Sequence, residues 1–179
     1  EPGACGVLTL MDADWKLAGV IAESTGGTES LQVAIYATEE KRRRAGFDHV
    51  LVLARLGEAL ILRRDRINAL WVLPEGQMKR GQSAEEAARS ALGEAIGEAV
   101  FDVYPLCAYG VNDENGTETG GFCYVADVRE WPDEAADEAR AFERLPLPGQ
   151  MDRPALILAL HKWAGEWFDE RITLERLGQ

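Results

Sequence analysis

The sequence predicts an α/β protein of the α+β kind, with helices packed on a mixed sheet. Three observations predict it. Short apolar runs with strand character fill the first seventy or so positions. A capped segment with helical periodicity follows them. A second pair of strand-like runs then leads into a final amphipathic helix. The order strands, loop, helix, strands, helix suits a sheet with helices layered on it. A chain of 179 residues fits one medium domain, and at this size roughly 70% of the unfolded chain's surface can be buried.

Taken in order, Leu17–Ala22 and Leu31–Ala37 are β-compatible, and the turn-rich Ser24–Thr28 joins them into an N-terminal hairpin. A helix over 29–44 is the alternative, because Glu39–Arg44 is rich in helix formers. His49–Ala54 and Ala59–Arg63 read as two strands joined through Gly57-Glu58. Leu70–Leu73 is a third strand, stopped by Pro74. Gly76 and Gly81 belong to a loop. Ser83 with Glu86 three residues on is a capping-box pattern. Ala84, Ala87, Ala88, Ala91, Leu92, Ala95 and Ile96 then recur at helical spacing up to a stop at Gly97. Val100–Val111 and Gly121–Val128 read as strands flanking the polar loop Asn112–Gly120. The acidic Asp133–Glu138 reads as a solvated connection or helix face. Pro154–Phe168 places Leu156, Leu160, Trp163 and Trp167 on one helical stripe.

The formal net charge of -12 argues against two partner classes, nucleic acid and anionic membrane. One small anionic ligand in a local basic pocket stays compatible with it. Cys5, Cys107 and Cys123 are widely spaced and fit free thiols in a reducing cytoplasm rather than a disulfide framework or a Cys-x-x-Cys site. No apolar run reaches the length of a membrane span. The opening EPGACGVLTL lacks a basic stretch followed by an apolar one, so no signal peptide is expected.

Trp71–Glu98 carries the chemistry. Gly76 opens a frame whose later positions are Gln82, Ser90-Ala91-Leu92, Glu94-Ala95 and Gly97-Glu98. This frame resembles the Nudix box: Gly, five residues, Glu, seven residues, then Arg-Glu-apolar-any-Glu-Glu-any-Gly-apolar. Gly76, Leu92, Glu94 and Gly97 match it. Gln82, Ser90, Ala91 and Ala95 stand where functional residues belong, and Glu98 stands where an apolar residue is usual. The flanks extend the resemblance, through Val50–Leu53, Leu60–Arg64, Trp71–Pro74 and Glu143–Pro146 before the last helix. It spans about 48–168 and implies a Nudix-like α/β/α sandwich with a mixed sheet over 48–179. It leaves 1–47 as an N-terminal extension, the hairpin of which offers a homodimer interface.

The resemblance implies hydrolysis of a nucleoside diphosphate-linked compound or related phosphoanhydride with Mg²⁺. Divalent ions neutralise the diphosphate and activate water, and glutamates three or four apart on one helix face converge on them. Ala91 and Ala95 offer methyl groups instead. Glu94 remains as the candidate catalytic residue and metal ligand. Gly76 would let the backbone approach phosphate closely, and Glu75 points toward the expected cleft. Arg63, Arg64 and Arg66, with Lys79, Arg80 and Arg89, are candidate phosphate ligands, although solvated surface charge is the simpler explanation of them. Glu85 and Glu86 suit the first helical turn. Glu114 and Glu118 could lend a carboxylate from outside the box, as the resemblance implies for a general base. His49 and His161 lack metal-ligand spacing and read as structural, and Lys41–Arg44 as an exposed charged run.

Three readings follow. In the first, catalysis is impaired and the protein binds a nucleotide or small phosphorylated ligand, or another protein. In the second, it is an unconventional Mg²⁺-dependent diphosphohydrolase using Glu94 and acids outside the box. In the third, an unrelated α/β protein matches the frame by chance.

Overall fold

The computed structural model describes residues 15–25, 29–38, 44–132 and 138–178. Among these, nine strands form one mixed sheet with a helix on each face, an α/β/α sandwich. β1 (Lys16–Thr25) and β2 (Glu29–Ala37) are an antiparallel hairpin. Residues 29–37 are therefore extended rather than helical. The cause is a period of two: Val33 and Ile35 enter one core layer, while Tyr36 packs against the other. The turn at 26–28 and the charged 39–43 lie outside the described residues.

β2 pairs with β7 (Val100–Asn112), which carries the hairpin into the main sheet. β7 pairs with β8 (Glu118–Glu130), and β8 runs parallel to β3 (Phe47–Leu56). Beyond β3 come β4 (Ala59–Arg64) and β5 (Trp71–Val72). Two further strands are short and lie off the main strand order. β6 (Glu75–Gln77), expected as loop, pairs with β3, and β9 (Ala139–Phe142) pairs with β4. Both are recruited by backbone pairing with an established strand. The polar loop is also shorter than expected. Asp113 Oδ1 accepts from Asn115 N and Thr117 N, each at 2.8 Å, and closes a turn that frees Glu118 to start β8.

α1 (Ala84–Ile96) begins as the capping pattern requires, with Glu86 N donating to Ser83 Oγ at 3.1 Å. It ends at Gly97, whose φ of 68° suits glycine. Its small face (Ala84, Ala87, Ala88, Ala91) lies on one side of the sheet with Leu92 and Ile96. Each of those two larger side chains contributes roughly 1.5–3 kcal/mol by burial. α2 (Pro154–Leu177) covers the opposite face through Leu156, Ile157, Leu160 and Ala164. It outruns the expected end at Phe168 because Arg171 anchors the extra turns. Its guanidinium stacks 3.9 Å from the Tyr104 ring centroid and donates to Tyr104 Oη at 2.8 Å.

Gly120 and Gly121 hold the centre of the sheet together. A Cβ on Gly121 would lie 1.8 Å from the His49 carbonyl oxygen, and one on Gly120 would lie 2.0 Å from that of Tyr109. Absent side chains therefore let β3, β7 and β8 close up beside the cavity described next.

Candidate functional site

The box segment folds as a tight loop-helix contact. Gly76 stands opposite Val50 on β3, and its missing Cβ would lie 3.3 Å from the Ala91 methyl. Ala91 is 5% exposed and fills the seam between loop and helix. Gln82 supports the loop by accepting from Lys79 N at 3.0 Å. Glu94 is exposed on α1, Ala95 is partly buried, and Glu85 pairs with Arg89 at 3.2 Å. Mg²⁺ favours several oxygen ligands. The residues around Gly76 and α1 do not supply them: Glu94 brings one carboxylate, Ala91 and Ala95 bring none. Among the described residues no three His, Cys, Asp or Glu side chains gather where a metal could be held. The donor set at this helix does not fit a Mg²⁺ centre.

A polar cavity lies on the other face of the sheet. Its volume is about 270 Å³, and Gly46, Asp48, His49, Tyr109, Thr119 and Arg153 are among the residues that line it. A smaller one of about 20 Å³, lined by Glu75, Asp152 and Arg153 with Leu51, Leu73 and Leu156, adjoins it at Arg153. Strand alternation explains this placement. Glu75 stands opposite Leu51 and so shares the α2 face, whereas Gly76, one residue on, faces α1.

Glu75 and His49 form the wall between the cavities, with His49 Nε2 3.3 Å from Glu75 Oε2. The hydrogen bond from His49 holds the Glu75 carboxyl below the usual range. Burial pulls the other way, and the charges of His49, Arg153 and Arg63 add to the lowering. Arg153 lines the cavity beside the Tyr109 hydroxyl. Burial, with Cys123 next in effect, pushes that hydroxyl far above its usual range, so it stays protonated. Arg153 has φ 51° and ψ 57°, left-handed backbone at the residue that precedes Pro154 and caps α2. Left-handed backbone is sparsely populated by side chains of this size and concentrates at clamps for ligands.

Of the arginines singled out from the sequence, Arg63 is half-buried at the end of β4, its Nε without a hydrogen-bond partner. Arg64 stacks 5.4 Å from the Trp71 centroid, and Arg66 pairs with Glu138. Arg63, Arg64, Arg66 and Glu94 line neither cavity. Glu118 is engaged elsewhere. It accepts from Tyr36 Oη at 2.5 Å and pairs with Arg44 at 3.3 Å. Arg44, expected on an exposed run, is instead enclosed, 4.9–5.1 Å from the Trp15, Tyr36 and Phe47 ring centroids. Aromatic faces attract the guanidinium, which explains the difference. His49, expected to be structural, lines the cavity. His161 fits its structural reading, half-buried in α2 with its pKa lowered by burial and then by Arg55. Cys107 and Cys123 are free and buried. Arg153 and Tyr109 carry no motif; the sequence signal for Arg153 is an arginine immediately before a helix-opening proline.

No protein-family model matches the chain, and no curated protein matches it. Solved structures do. A mutant form of the Bacillus subtilis pyrophosphohydrolase BsRppH superposes with a TM-score of 0.62 at 20% identity, covering 83% of this chain and 96% of that one. A UDP-X diphosphatase superposes with a TM-score of 0.55 at 14% identity, covering 73% of this chain and 66% of that one. At these identities the likeness is one of fold, and the fold is Nudix-like.

Proposed function

We propose that this Nudix-like chain binds a small phosphorylated ligand or nucleotide in the cavity under α2 and is impaired in box-based catalysis. One observation carries the reading: the chain's polar groups and its box helix occupy opposite faces of the sheet. On the α1 face, the Ala91 methyl fills the seam with Gly76. On the α2 face, Arg153, His49, Tyr109 and Thr119 surround about 270 Å³. A guanidinium fork suits a phosphate, and the protonated Tyr109 hydroxyl and Thr119 add hydrogen-bonding capacity. Glu75 orients His49 across the cavity wall. One fold neighbour named above is a pyrophosphohydrolase and the other a diphosphatase, which supports a ligand that carries phosphate.

An active diphosphohydrolase is the weaker reading, because Glu118 is committed to Tyr36 and Arg44. The test pairs turnover with binding. Nucleoside triphosphates, ADP-ribose and other nucleoside diphosphate compounds are offered with Mg²⁺ or Mn²⁺, and phosphate release is followed. Release stays at background, while mononucleotides raise the melting temperature of the wild type and not of Arg153→Ala. Robust turnover that Glu94→Gln abolishes overturns the proposal.

A further inference from the structure

We infer that the cavity under α2 takes a ligand of mononucleotide size bearing a single phosphate, held without a metal ion. The inference rests on the binding reading above and sharpens it through size and charge.

A volume of about 270 Å³ lies just below the range of about 300–1,000 Å³ usual for small-molecule sites. The adjoining 20 Å³ adds room for about one water-sized group. A nucleoside with one phosphate suits this space better than a dinucleotide or a nucleotide joined to a sugar. The charge balance narrows it further. Asp48, Glu75 and Asp152 bring three carboxylates to the two cavities, and Arg153 brings the one guanidinium of their linings. His49 adds at most one further positive charge, and its Nε2 already faces Glu75. A single phosphate can pair with Arg153. Each additional phosphate finds no second guanidinium in the two linings and approaches three carboxylates. A divalent ion would ordinarily offset that repulsion, but no group of three possible metal ligands exists among the described residues.

Asp48 and Glu75 fit the rest of such a ligand. Carboxylates accept hydrogen bonds, and a ribose or a nucleobase amino group donates them. Asp48 Oδ2 already accepts from Gln77 Nε2 at 2.9 Å, which fixes its orientation and leaves acceptor capacity. Arg153 is held in turn by its left-handed backbone at the start of a 24-residue helix. The cavity's cation is therefore placed before a ligand arrives, which lowers the ordering cost of binding.

The test is isothermal titration of the full chain with AMP, ADP and ATP and their guanosine, cytidine and uridine counterparts. Ionic strength is fixed, and each titration runs in EDTA and again with Mg²⁺. At least one monophosphate binds, and each added phosphate weakens that base's series roughly tenfold, about 1.4 kcal/mol and less than one uncompensated like-charge contact at an effective dielectric near 20. Mg²⁺ leaves the monophosphate affinity unchanged. Arg153→Ala brings the monophosphate to the level of the parent nucleoside, and Asp48→Asn narrows the gap between mono- and diphosphate. A di- or triphosphate that binds more tightly than its monophosphate, or one that needs Mg²⁺ to bind, overturns the inference and leaves the binding function standing. If no nucleotide binds, the inference falls; if a diphosphate is turned over, the inference and the proposed function fall together.

Discussion

Rebuilding the box should first cost stability and then make it depend on metal. Ala91 is 5% exposed, and the Gly76 Cβ position lies only 3.3 Å from its methyl. Ala91→Glu inserts four more heavy atoms where none fit. Overpacking of this kind costs about 1–3 kcal/mol. A carboxylate left without partners in the seam adds about 1–3 kcal/mol more, part of which it escapes by staying protonated. A net loss of about 2–4 kcal/mol follows, roughly 5–15 °C of melting temperature for a chain of this size. The triple variant Gln82→Glu, Ala91→Glu, Ala95→Glu joins three carboxylates to Glu94 on the helix face and its loop. The new carboxylate at position 82 still offers Lys79 N the acceptor that Gln82 provides. At a Mg²⁺ concentration one hundred times the dissociation constant, binding to the folded state returns about 2.7 kcal/mol, a rise of roughly 5–10 °C. Thermal unfolding followed by circular dichroism, in EDTA and in saturating Mg²⁺, reads both effects. The wild type shows no such Mg²⁺ shift. If Ala91→Glu melts with the wild type in EDTA, the packing argument is wrong. If the triple variant ignores Mg²⁺, the register that aligns Ala91 and Ala95 with metal-ligand positions is wrong.

Three other perturbations probe separate parts of the chain. Trp15→Ala removes a core ring that meets Tyr36, Phe47 and Phe122 and underlies Arg44; chemical denaturation should show a loss of about 3–5 kcal/mol, and a loss below about 1 kcal/mol contradicts that packing. Gly121→Ala drives a methyl to within 1.8 Å of the His49 carbonyl, so the loss should reach at least about 3 kcal/mol or soluble protein should not accumulate. Glu75 has a folded pKa below its ordinary 4.5, so its contribution is present above that value and fades as pH falls through the folded pKa; the melting-temperature advantage of wild type over Glu75→Gln should shrink below about pH 4.5, and a gap constant down through acid pH would refute the His49 pairing.

The parts of the fold legible in the sequence are those set by local pattern. Short apolar runs marked β3 and β4, and Ser83, Glu86 and Gly97 delimited α1, because caps and apolar runs act within a few residues. β6 escaped this logic. Glu75-Gly76-Gln77 has no strand pattern and becomes a strand only because β3 offers an open edge. The C-terminal turns of α2 escaped it too, since Arg171 is held by Tyr104, 67 positions away. Both cases share one physical cause: a long-range partner overrides a weak local preference.

The site divides along the same line. The box frame is short-range. Gly76, Ala91, Leu92 and Gly97 position loop and helix whether or not carboxylates accompany them, so the packing survives their replacement. The cavity is long-range. His49 and Glu75 meet through antiparallel pairing of β3 with β6, Tyr109 arrives from β7, and Arg153 comes from the start of α2. None of these residues forms a pattern with its sequence neighbours. Arg153 breaks the expectation at its own position, because a residue before proline favours extended backbone and this one is left-handed. A scaffold that keeps such a residue, at a cost of order 1–3 kcal/mol, needs compensation from the surroundings. The start of α2 supplies it, and Arg153 thereby stands where the two cavities meet. A phosphate taken up there would turn a strained helix start into the anchoring point of the proposed site.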